Sequence, residues 1–151
     1  MVSNRERGEA FQSCCYEALK RAFQRDFLFE VPIVVAGKQH KFDLATGEGD
    51  IVVECKAFKF TAGGNEPSAK ISTLREAVTF LDGVQGDCQR LLIIKHDTHP
   101  IRQETLGQLF VRRNRHMLNR ITVLEMPEAG GELACIHGTF KPEQLLSTAT
   151  V

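Results

Sequence analysis

The sequence predicts an α/β protein with a mixed β-sheet flanked by helices, and three observations predict it. Two apolar-rich runs, Lys41–Thr46 and Ile51–Phe58, flank the polar segment Gly-Glu-Gly-Asp, the pattern of a β-hairpin with a four-residue loop. Further on, Arg90–Lys95 and Ile121–Met126 are short apolar runs bounded by charge, as expected of buried strands. Between these runs lie stretches in which apolar residues recur at helical spacing. Strand, helix, strand, helix, strand is the order of a sheet joined by right-handed crossovers.

The 151 residues fit one domain, 1–151, long enough to bury its own core. Hydrophobic content of 42% and charged content of 25% are those of an ordinary soluble globular protein. No apolar run approaches the roughly 18 residues of a membrane span, and Met-Val-Ser-Asn-Arg-Glu-Arg-Gly-Glu does not read as a signal peptide. The expectation is a cytoplasmic protein with no membrane partner. Five cysteines without a Cys-x-x-Cys pair read as reduced thiols, mostly filling the core. Equal numbers of acidic and basic residues weigh against a non-specific nucleic-acid coat but leave room for a local basic face.

Taken in order, residues 4–25 predict a helix: Ala10-Phe11, Cys14-Cys15, Ala18-Leu19 and Ala22-Phe23 recur every four residues, with Ser3 or Asn4 as cap. Glu30–Val35 is β-branched and predicts a strand, which Pro32 excludes from a fully paired central position. Ala36-Gly37-Lys38 turns the chain into the hairpin. Lys59–Glu66 reads as a loop leaving the hairpin's second strand, well placed to touch a substrate or serving as a plain connection. Pro67-Ser68 opens a helix that buries Ile71, Leu74, Ala77, Val78 and Leu81 and stops at Gly83. Ile101–Asn119 predicts a long helix with Leu106, Leu109, Phe110 and Met117 inward. Pro127–Glu132 is a turn, Leu133–Ile136 an edge strand and Pro142–Leu146 a short last helix.

The hairpin carries the chemistry. With Gly47–Asp50 as its loop, Thr46 faces Ile51, Leu44 faces Val53, Asp43 faces Glu54 and Phe42 faces Cys55. Strict alternation then puts Phe42, Leu44, Ile51, Val53 and Cys55 on a core face, and Lys41, Asp43, Ala45, Val52, Glu54 and Lys56 on the other. Like charges opposite one another cost up to roughly 1 kcal/mol in a sheet. Two carboxylates at one point also form half of a site for Mg²⁺ or Mn²⁺, with Lys56 on the same face to hold a water or a phosphate oxygen. Geometry alone leaves a second reading open, a carboxylate pair neutralised by a nearby lysine.

Asp43, ten intervening residues and then Glu54-Cys55-Lys56 resemble the PD-(D/E)xK nuclease superfamily, with Phe42 standing where the family name has proline. The resemblance implies a restriction-endonuclease-like fold and a Mg²⁺- or Mn²⁺-dependent nuclease acting on phosphodiesters, DNA in the first place. Asp43 and Glu54 would bind the metal, with the Cys55 backbone carbonyl as a further ligand, and Lys56 would orient or help deprotonate the attacking water. Relatives often place a glutamate on the first helix; Gln12 stands at that position here, and Glu9, one turn earlier, is the candidate substitute. Cleavage of both strands requires two sites, which points to a homodimer.

Other constellations are weaker. The segment Arg102–Arg120 carries Arg102, Arg112, Arg113, Arg115 and Arg120 against Glu104, a candidate nucleic-acid face or a solvated charged one. Lys70, in the first turn of its helix, is a candidate phosphate contact despite the helix dipole. His96-Asp97-Thr98-His99 reads as a loop rather than a metal site. Phosphate-binding glycine loops and nucleophile elbows are absent from the sequence. The alternative to a nuclease is a non-catalytic nucleic-acid-binding or adaptor module on the same fold, or a structural domain whose Asp43, Glu54 and Lys56 form a neutralised network.

Overall fold

The computed structural model describes residues 2–142. Its first element is helix α1, Asn4–Phe23, capped by the Ser3 hydroxyl, which accepts the Glu6 amide, and ended by Gln24 in the left-handed region. Six strands follow: β1 (Leu28–Val35), β2 (Lys38–Ala45), β3 (Ile51–Lys56), β4 (Gln89–Lys95), β5 (Ile121–Met126) and β6 (Ala134–His137). They form one sheet in the spatial order of the chain. Helix α2, Ser68–Asp82, connects β3 to β4, and helix α3, Leu106–Asn114, connects β4 to β5. β3, β4 and β5 are parallel, while β1, β2 and β6 add antiparallel margins. The mixed α/β architecture is the one the sequence predicts, and Pro32 lies on edge strand β1.

Both faces of the sheet are covered. On one face α1 packs Phe11, Cys15, Leu19 and Phe23 against Leu44, Ile51, Val53, Leu91, Ile93 and Leu124. On the other, α2 and α3 pack Leu74, Val78, Leu81, Leu109 and Phe110 against Ala45, Val52, Leu92, Ile94 and Val123. The parallel strands therefore read as unbroken apolar runs, because every position meets a helix. At about 25 cal/mol per Å² this two-sided burial is the main stabilising term. Among the described residues no helix is long and apolar enough to cross a membrane.

Three expectations need correction. The long helix over 101–119 is shorter: α3 begins at Leu106 and gives way at Arg115 to a 3-10 turn, Arg115–Met117. Pro100 precedes the segment, Gln103 takes φ 58°, and Thr105 forms a capping box with Gln108, so the helix starts there and Ile101 is left 80% exposed. The alternation of β2 also breaks. Phe42 packs with Ala45 and Val52, not with Leu44, so it lies on the face of α2 and α3. The β2–β3 ladder itself pairs Leu44 with Val53 and Ala45 with Val52, as expected, and goes no further toward Asp43. Finally, the face that was to carry polar chemistry is itself core, with Ala45 and Val52 fully buried and Glu54 3% exposed. The short helix expected over Pro142–Leu146 lies, beyond Pro142, outside the described residues.

Candidate active site

The break in β2 builds the site. Glu30, which the β1–β2 register brings opposite Asp43, has φ 53°, and neither residue joins the ladder that pairs their neighbours on both sides. A non-glycine residue held there costs on the order of 1 kcal/mol or more and tends to mark functional sites. Freed from the ladder, Asp43 turns its carboxylate to the next strand: Oδ2 accepts the Cys55 amide at 2.7 Å. Its carbonyl accepts the Gln12 side chain at 2.8 Å, which fixes α1 against the same point. Gln12 also donates to Glu30 at 3.4 Å.

A cavity of about 510 Å³ opens at this junction, lined by Gln12, Glu30, Asp43, Cys55, Lys56 and, at its rim, Arg7, Glu9, Lys59 and Lys70. It lies at the C-terminal end of parallel strand β3, where α/β sheets commonly bind ligands. Glu54 is not part of the wall. Its side chain sits buried behind it, with Oε1 2.6 Å from His40 Nε2 and Oε2 4.0 Å from Lys56 Nζ. His40 in turn stacks on Phe80 of α2, with ring centroids 3.8 Å apart, and meets Phe42 edge-on.

Burial first, and then the adjoining Asp43 carboxylate, push the Glu54 carboxyl up to about 9. Burial, with Lys56 in support, holds His40 below its ordinary value. The Asp43 and Glu54 carboxyl groups thus adjoin one another, with the Lys56 ammonium 4.0 Å from Glu54. That is an observation a divalent cation fits: Mg²⁺ asks for one or two carboxylates, with waters and substrate oxygens completing its shell. Among the described residues no cluster of three or more His, Cys, Asp or Glu side chains is arranged to hold a metal. The carboxyl groups at this point are those of Asp43 and Glu30, which line the cavity, and of Glu54 behind it.

The remaining candidates divide. Glu9 is at the rim but solvated and paired with Arg5 at 3.1 Å. Gln12 is buried and spent on structure. Lys70 joins the cavity, its ammonium 5.9 Å from the Phe58 ring centre. The arginine cluster does not line it: Arg112 pairs with Glu104 at 2.8 Å, Arg113 with Glu66, and Arg120 with Asp82, while Arg115 belongs to the 3-10 turn. His96-Asp97-Thr98-His99 proves to be an organiser of loops. Asp97 accepts the Phe60 amide, and His99 bonds to the Gly64 carbonyl through Nε2 and accepts the Ile101 and Arg102 amides at Nδ1. It thereby fixes the loop 57–67 that carries Phe58 and Lys59. Sequence reasoning singles out neither Glu30 nor His40. Centring the β1–β2 turn on Ala36-Gly37 would have placed Glu30 opposite Asp43; nothing in the sequence places His40 beside Glu54.

What fold and site define is a mixed α/β sheet with a carboxylate pair and a lysine at the end of a parallel strand. Compared with known proteins, the chain matches no family model, no curated protein and no solved structure.

Proposed function

We propose that this protein is a metal-dependent nuclease of restriction-endonuclease-like fold, hydrolysing phosphodiester bonds, in DNA by preference. The observation that carries the reading is that Asp43 and Lys56 line one cavity with the buried Glu54 carboxyl directly behind them, at a break in the β1–β2 ladder where Glu30 is held at φ 53°. Asp43, Glu54 and the Cys55 carbonyl would hold Mg²⁺ or Mn²⁺. When bound, such an ion polarises a phosphoryl oxygen and lowers the pKa of a bound water.

The chain's own residues supply the rest. Lys56 lines the cavity wall, and in this reading it would orient the attacking water, take up its proton or steady charge on the phosphate as it develops. Gln12, through the Asp43 carbonyl, holds the strand that presents the carboxylate. Arg7, Lys59 and Lys70 surround the mouth and form no ion pair among the described residues, so their charge is available to phosphates on either side of the scissile bond. In this reading Lys70 is joined by Arg7 and Lys59 as the candidate nucleic-acid contact, ahead of Arg112 and Arg113, which are engaged with Glu104 and Glu66. A homodimer would bring two such sites to the two strands of a duplex.

One observation favours the second reading, a binding module without cleavage: the first-helix residue that reaches the site is the amide Gln12, already engaged with backbone. The test is incubation of plasmid and branched DNA with Mg²⁺ or Mn²⁺, for wild type and Glu54→Ala. Cleavage that disappears in Glu54→Ala supports the nuclease. Tight DNA binding without cleavage in either metal supports the binding module.

A further inference from the structure

A hydrogen-bonded, ring-stacked histidine stands directly behind the buried carboxylate of the site. Glu54 is a hard side chain to hold in one rotamer, since it has three rotatable bonds and its inner neighbours are apolar: Ala45, Val52 and Leu92 line the same core. Among the described residues the close hydrogen-bond partner of Oε1 is His40 Nε2 at 2.6 Å, while Lys56 stands at 4.0 Å from Oε2. The imidazole is itself immobilised. Phe80 lies parallel to it, with 10° between planes, and Phe42 meets it at 78°. Offset and edge-on aromatic pairs are each worth roughly 0.5–1.5 kcal/mol beyond burial, so His40 is held by α2 and by its own strand at once.

We infer that His40 is a positioning residue for the proposed metal site: by occupying Glu54 Oε1 from behind, it leaves Oε2 on the side of Lys56, where the cation would bind. The inference rests on the nuclease reading of Asp43 and Glu54. Residues that hydrogen-bond a metal-ligating carboxylate fix its orientation, and their loss typically costs about 10–100-fold in metal affinity. The chain that links the site to the fold runs from Phe80 to His40 to Glu54, so α2, whose Lys70 lines the cavity, also reaches the buried carboxylate through His40.

The test is calorimetric titration of the full-length protein with Mn²⁺ alone. His40→Leu fills the space without a polar atom, and His40→Gln keeps a hydrogen-bonding group at similar reach. Expected results are a loss of about 10–100-fold in Mn²⁺ affinity for His40→Leu and near wild-type affinity for His40→Gln. Asp43→Ala, the control, abolishes binding. Phe80→Leu, which removes the stacked ring and leaves the imidazole, weakens Mn²⁺ severalfold and serves where His40→Leu fails to fold. Wild-type affinity in His40→Leu or in Phe80→Leu, with binding lost in Asp43→Ala, overturns the role of His40 and leaves the nuclease reading standing. Equal losses in His40→Leu and His40→Gln reduce His40 to a packing residue. Absence of Mn²⁺ binding by wild type overturns both.

Discussion

Asp43 Oδ2 accepts the Cys55 amide at 2.7 Å, a side chain taking the place that a backbone carbonyl would occupy in an unbroken ladder. The same carboxylate is thus both a structural splice between β2 and β3 and the half-buried, cavity-lining member of the carboxylate pair. Asp43→Ala leaves the Cys55 amide without an acceptor and should cost about 1–3 kcal/mol. Asp43→Asn keeps an acceptor oxygen and removes the charge that opposes Glu54, so its stability in chelated buffer should equal or exceed wild type. Urea denaturation of the three proteins checks both. A stable Asp43→Ala would detach Asp43 from the fold and weaken the geometry argued for it.

Two glycine-to-alanine changes should act in opposite directions. Gly8, inside α1, has nothing within 4 Å of an added Cβ, and Gly8→Ala should stabilise by about 0.5–1 kcal/mol. At Gly107 in α3 the added carbon would stand 2.5 Å from Glu125 Oε2 and 2.8 Å from Ile136 Cδ1. Gly107→Ala should therefore destabilise by about 1–3 kcal/mol. Thermal unfolding of the pair is the check, and a rise in both midpoints would contradict the packing described between α3 and β5.

The hairpin loop has its own acid signature. Arg25 grips Asp50 at 2.6 and 2.8 Å, and Thr46 Oγ1 donates to Asp50 at 2.6 Å. The Arg25 hydrogen bonds chiefly, with that of Thr46, hold the Asp50 carboxyl at about 2, below its ordinary 3.8. Because the folded value is the lower one, the stabilisation is present above pH 3.8 and is lost as pH falls from there through about 2. Asp50→Asn should lower the thermal midpoint at pH 6 and lose less of it on acidification than wild type. The side chain is 39% exposed, so solvent screening keeps the difference small. Parallel midpoint-versus-pH curves would contradict it.

Nucleic-acid binding should follow the cavity rim. Charge reversal at Arg7, Lys59 or Lys70 is expected to weaken DNA binding and to lower the salt-dependence slope by about one for each phosphate no longer neutralised. Charge reversal at Arg112 or Arg113, whose guanidinium groups are paired with Glu104 and Glu66, should leave binding nearly unchanged. Fluorescence anisotropy across a salt series separates the two sets. The opposite ranking would return the interface to α3.

Much of the fold is legible in the chain because local rules agree with the tertiary outcome. Gly47–Asp50 sets the hairpin loop and with it the Leu44–Val53 register. Ser3, Pro67 and Gly83 mark helix ends, and the apolar runs of β4 and β5 fall where covered parallel strands are needed. The site is legible only in part, because it depends on a departure from alternation. Strict alternation puts His40 on the face of Phe42 and Leu44, away from Glu54; the break at Asp43 puts His40 and Phe42 beside it instead. That break follows from a backbone state at Glu30 that no propensity favours. Helical periodicity likewise overran α3, since Ile101 fits the spacing but the capping box at Thr105 sets the start.

The central claim is that Lys56 acts on the reacting water or phosphate at a site whose metal is held by Asp43 and Glu54. The most direct measurement is single-turnover cleavage of an end-labelled DNA duplex at saturating Mn²⁺, comparing wild type with Lys56→Ala, with Mn²⁺ affinity measured on the same preparations. The account predicts cleavage by wild type, a loss of about 10²–10⁴-fold in rate for Lys56→Ala, and Mn²⁺ affinity largely retained. Equal cleavage rates in the two proteins, or no cleavage by wild type with Mn²⁺ bound, would contradict it.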